Sequence, residues 1–132
     1  MKVKTLLDIY AVAQVKSGDR KTQVGAGVII DGNLVIGVNH LEKELPEYEV
    51  VNRTSLFYDS MIHAEVDLCA KLDDLHDMTV YVTLFPCDSC AKTLIAKGVK
   101  HIVVKDDRPD APYIIRAKQL LDEAGVTYEI VG

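Results

Sequence analysis

Thr79-Val80-Tyr81-Val82-Thr83-Leu84-Phe85-Pro86-Cys87-Asp88-Ser89-Cys90 reads as a strand that runs directly into a helix. The strand pattern covers Thr79–Leu84, and a helix is predicted from about Cys87 to Lys97. Pro86 suits that start, because its missing N–H would be unpaired there in any case. Next come a strand at His101–Val104 and a loop at Asp106-Asp107-Arg108-Pro109. A last helix at about Tyr113–Ala124 ends at Gly125, with a final strand at Thr127–Val131. Each helix between these strands is a crossover, so the three strands are predicted to run parallel.

Working back toward the N-terminus, Leu6, Leu7, Ile9, Tyr10, Val12 and Ala13 recur at helical spacing until Ser17-Gly18-Asp19 closes the segment. Val24–Ile30 and Leu34–Val38 are strand patterns joined by the turn Asp31-Gly32-Asn33, and so short a turn makes them antiparallel. Residues 40–60 have the least regular pattern and are expected to form a functional or mobile loop. A helix from about His63 to Leu72 follows. The order α-β-β-α-β-α-β-α-β implies an α/β fold. It has one five-stranded mixed sheet, its last three strands parallel, with helices on both faces.

The chain has 132 residues, of which 48% are apolar and 27% charged, the balance of one globular domain spanning residues 1–132. Met1-Lys2-Val3-Lys4 leads into an amphipathic stretch and not into a signal-peptide core, and no apolar run reaches membrane-spanning length. Three cysteines without an export signal argue for a reducing compartment, so a cytoplasmic location is expected, with no membrane partner. A net charge of −5 counts against a broad nucleic-acid footprint.

The chemistry lies in His63-Ala64-Glu65 together with Cys87 and Cys90. The two cysteines are three apart at a predicted helix start, so both sulfurs face one side. The unpaired N–H groups and partial positive charge of that helix end favour thiolate. His63 sits at a second helix start, so two helix N-termini are expected to converge on one metal ion. Zinc held by His63, Cys87 and Cys90 would have three protein ligands, whereas a closed structural site needs four; the open position suits water. Glu65 is then the expected proton shuttle, taking a proton from water and delivering protons to a ring nitrogen and a departing amine. Cys69 lies among Val66, Leu68, Ala70 and Leu72 and reads as a buried hydrophobe. Redox use of the two cysteines, or a non-catalytic zinc-stabilised module, are the readings that compete.

The spacing H-x-E…P-C-x-x-C marks zinc deaminases. From about Ile9 to Val126 the chain resembles the deoxycytidylate (dCMP) deaminase branch of the cytidine deaminase superfamily. The likeness extends over Ser17–Ala26, Gly37-Val38-Asn39-His40, Tyr58, Thr79–Cys87 and Ala96–Lys100. It implies the cytidine deaminase-like three-layer α/β/α sandwich, one zinc ion per chain, and hydrolytic removal of the 4-amino group of a cytosine nucleotide. It also implies substrate contacts at Asn39, Ala64 and Tyr58. Val38 and His40 stand where the family has tyrosine and glycine, in a region tied to nucleotide allostery in larger members. Arg20 replaces a usual proline and joins Lys21, Arg53 and Arg108 as candidate cations for a phosphate. A small-molecule nucleotide substrate and a homo-oligomer that completes the pocket are expected. Deaminases acting on a free nucleoside, a modified cytosine nucleotide or guanine are the nearest rivals.

Overall fold

The computed structural model describes residues 1–131. Strands β1 (Gly25–Ile30) and β2 (Asn33–Val38) form a hairpin. Asp31 and Gly32 turn it with φ of 52° and 79°, the paired positive values of a type I′ turn that matches strand twist. β1 also pairs antiparallel with β5 (Thr79–Leu84). From β5 onward the pairing is parallel, through β6 (His101–Asp106) to β7 (Thr127–Ile130), and the sheet order is β2-β1-β5-β6-β7. The expected five-stranded mixed sheet with three parallel strands is therefore present.

Alternation along β1 separates the two faces. Ala26 and Val28 join a core with Leu68 of α4 (Ala64–Lys71), Leu94 of α5 (Asp88–Ala96) and Leu121 of α6 (Pro112–Glu123). The intervening Gly25 and Gly27 lie instead against Ile9 of α1 (Lys2–Lys16), which is buried with Leu6 and Ala13. Val80 and Val82 are fully buried beside Ile102 and Val104, their parallel partners in β6. Each such side chain contributes about 2 kcal/mol by leaving water. Helices thus cover both faces, in three layers.

Residues 40–60 depart from the expected irregular loop. β3 (His40–Leu41) pairs antiparallel with β4 (Met61–Ile62), and between them lie two short helices, α2 (Glu47–Val51) and α3 (Ser55–Ser60). Thr54 caps α3 by accepting a hydrogen bond from the Phe57 N–H, and Phe57 is 1% exposed. Capping and one aromatic anchor make this helix, with no repeating apolar face to announce it. Among the described residues, no helix is long and apolar enough to cross a membrane.

Candidate active site

The C-terminal ends of β5 and β6 open onto a cavity of about 410 Å³, the usual place for a site in a parallel sheet. His63 and Cys87 are the N-cap residues of α4 and α5, with extended backbone, and Cys90 lies in the first turn of α5. His63 Nδ1 is 3.2 Å from Cys90 Sγ and 3.5 Å from Cys87 Sγ. One ligand atom from each residue falls within 4.8 Å of the others.

Protons in this cluster are shared unequally. The Cys90 contact pulls the Cys87 thiol well below the usual range, with His63 adding to the effect, while the same contact pushes Cys90 up. His63 is raised by its hydrogen bond with Cys87. One imidazole and two thiols, one of them predisposed to ionise, form a donor set that fits a single zinc ion and leaves one tetrahedral position open. Cys69 is buried apart from the cluster, and burial raises its thiol.

Glu65, in the first turn of α4, is 4% exposed, and burial pushes its carboxyl up to about 7. That places a proton carrier near neutrality on the wall of the cavity that holds His63 and Cys87.

Asn39, Ala64 and Tyr58 all line this cavity, as do Arg53 and Arg108. The Asn39 amide oxygen accepts hydrogen bonds from the Ser17 hydroxyl and the Val24 N–H, and its nitrogen donates to the Thr22 carbonyl. One amide N–H is left for a ligand. Arg20 is elsewhere: it is exposed and pairs with Glu47 at 2.7 and 3.0 Å, outside the cavity lining, as is Lys21. His40 bonds to Asp67 of α4 at 3.2 Å, and Asp67 in turn accepts the Val38 N–H, tying the end of β2 to the helix that carries Glu65.

Sequence reasoning gives Asp19 no role in the site, placing it only in the segment that closes the first helix and in the Ser17–Ala26 likeness. Its buried carboxylate accepts the Lys21 and Thr22 N–H groups at 2.9 and 3.1 Å and both terminal nitrogens of Arg53 at 2.7 and 3.0 Å. An aspartate two residues before a free N–H suggests an Asx turn, but nothing local shows its arginine. Asp88 and Tyr113, on the cavity wall, were likewise not singled out.

Residues 3–106 match the family model of the cytidine and deoxycytidylate deaminase zinc-binding region. A deoxycytidylate deaminase of Pongo abelii is 30% identical over 86% of this chain and 70% of its own length. A probable deoxycytidylate deaminase of Caenorhabditis elegans is 29% identical over 97% of this chain and 68% of its own. Among solved structures, the dCMP deaminase of the cyanophage S-TIM5, crystallised with dCMP and dUMP, superposes with a TM-score of 0.73. At 23% identity it covers 98% of this chain and 96% of its own, and it shows a shared fold. With its zinc-type donor set beside a buried carboxylate, the chain belongs to the deoxycytidylate deaminase branch of the cytidine and deoxycytidylate deaminase family, whose members are zinc-dependent hydrolases.

Proposed function

We propose that this protein deaminates dCMP to dUMP, releasing ammonia. The observation that carries the chemistry is Glu65, buried on the wall of the cavity that holds His63 and Cys87. Zinc held by His63, Cys87 and Cys90 would supply the Lewis acidity that makes water nucleophilic near neutral pH. Glu65 takes the proton from the attacking water and delivers it to the ring nitrogen. That attack forms the C4–O bond. Glu65 then carries the remaining proton of the added hydroxyl to the exocyclic amine, so that the C4–N bond breaks, the C4 carbonyl forms and ammonia leaves.

Charge distribution supports a nucleotide. Asp19 offsets Arg53, whereas Arg108, exposed at the cavity edge, has no carboxylate within ion-pairing distance among the described residues. Arg108 is therefore the cation assigned to the 5′-phosphate. The remaining Asn39 N–H is assigned to the sugar, and Ala64 lines the cavity beside the reacting ring. Deoxycytidylate deaminases among the relatives act on this substrate by name, which supports the same choice here.

The test is ammonia release from dCMP, CMP, deoxycytidine, cytidine and guanine, with Glu65→Gln beside the unaltered protein. The expected result is preference for dCMP, with Glu65→Gln keeping its zinc and losing about 100- to 10,000-fold in kcat. Turnover of nucleosides or guanine but not dCMP would overturn the substrate. Zinc retention without turnover of any of them would overturn the reaction.

A further inference from the structure

Arg53 is held more tightly than a phosphate-binding arginine needs to be. Its two terminal nitrogens meet the two oxygens of Asp19 in a fork, and the ion pair is largely buried, with side-chain exposures of 18% and 7%. The guanidinium also lies over two rings, 4.9 Å from the centroid of Phe57 and 5.2 Å from that of Tyr58. Its backbone adopts φ +49°, a left-handed conformation unusual for arginine and kept only where surroundings over-determine it. A third N–H is committed too: Nε donates to the Tyr58 hydroxyl oxygen at 3.0 Å. All three side chains, Asp19, Arg53 and Tyr58, line the cavity.

This arrangement leaves the tyrosine with one free capacity. Its oxygen already accepts from Arg53, and among the described residues its own proton has no acceptor. Resting on the nucleotide reading above, we infer that Asp19 and Arg53 are a positioning pair that fixes the Tyr58 hydroxyl as a hydrogen-bond donor to an acceptor oxygen of the bound nucleotide. Arg53 acts through Tyr58, because Asp19 offsets its charge and holds both terminal nitrogens while Nε is committed to the tyrosine oxygen. The acceptor is a sugar or phosphate oxygen, since both present lone pairs to a donor.

The experiment measures dUMP binding by calorimetry and dCMP kinetics on the zinc-loaded protein, with Tyr58→Phe, Arg53→Lys and the double variant. Tyr58→Phe deletes an exposed hydroxyl and is the variant that keeps the fold; thermal melting checks all three. Loss of one hydrogen bond is expected to weaken dUMP binding and raise the KM for dCMP about three- to ten-fold, with kcat nearly unchanged. Lysine keeps the charge but lacks the fork and the Nε donor, so Arg53→Lys should match Tyr58→Phe and add little in the double variant. Full binding by Tyr58→Phe would overturn the inference. So would an Arg53→Lys effect that persists undiminished without the hydroxyl. Failure of the unaltered protein to bind dUMP or turn over dCMP would overturn the nucleotide reading, and this inference with it. Deoxycytidine separates the two sources: a Tyr58→Phe penalty that survives on the nucleoside marks a sugar oxygen, and one that disappears marks the phosphate.

Discussion

Gly37 on β2 lies against the backbone of Leu68 on α4, so closely that a Cβ would meet the Leu68 Cα at 2.9 Å and the Ala64 carbonyl oxygen at 2.6 Å. Backbone cannot swing aside as a flexible side chain does. The absence of a side chain at residue 37 therefore sets how near the sheet α4 can lie, and α4 carries His63 at its cap and Glu65 in its first turn.

Gly37→Ala is accordingly expected to push α4 outward and misplace Glu65 relative to Cys87 and Cys90. A displacement near 1 Å at a reacting group costs about 100-fold in rate. Deamination kinetics should show a loss of that order in kcat, accompanied by a lower melting temperature. Unchanged kcat would mean that the helix does not set the geometry of the proton carrier.

Metal content supplies an independent check on the cluster. One zinc per chain is expected by atomic absorption, removable with a chelator and restored by added zinc together with activity. Cys90→Ser should weaken zinc retention more than the roughly 10- to 100-fold that follows loss of a group which merely orients a ligand. Cys69→Ser should leave stoichiometry unchanged, because that sulfur lies outside the cluster.

The parallel half of the sheet was legible because each strand and helix between Thr79 and Ile130 carries its own boundary, such as Pro86 before α5. The metal cluster was legible because its spacing is itself the geometry: His63 and Cys87 cap neighbouring helices, and Cys90 follows within one turn. Helix α3 was not, since only Phe57 and Ser60 are buried and no apolar stripe recurs. Nor could sequence separate Arg20, Arg53 and Arg108. Their differences lie in partners brought together by folding, Glu47 for the first, Asp19 for the second, and none among the described carboxylates for the third.

Arg108 carries a prediction that follows from that difference. Arg108→Ala should raise the KM for dCMP about ten-fold or more, as expected when a charge-assisted bond to phosphate is removed. Arg20→Ala should change it little, because that side chain is exposed and outside the cavity. Steady-state kinetics on dCMP and deoxycytidine should show the preference for nucleotide over nucleoside narrowing in Arg108→Ala alone. An equal loss on both substrates would remove Arg108 from the phosphate.

Asp19 connects the cavity to stability through pH. Burial works to raise its carboxyl, but the Arg53 fork and the Lys21 and Thr22 N–H groups outweigh that and hold it below the ordinary 3.8. Folding therefore favours the carboxylate. Its contribution is complete above the unfolded value and fades as pH falls below about 3.8 through the lower folded value. Asp19→Asn keeps the shape, removes the charge and strands Arg53 in a largely buried position, so a loss of about 3 kcal/mol is expected at neutral pH. Urea unfolding at pH 7 and pH 5 should give the same difference between the two proteins. The difference should shrink as the pH is taken below 3.8, because the unaltered protein loses what the variant already lacks. A gap that stays constant through acid would mean that the loss in Asp19→Asn does not come from the Asp19 charge, and that the ion pair with Arg53 does not stabilise the fold.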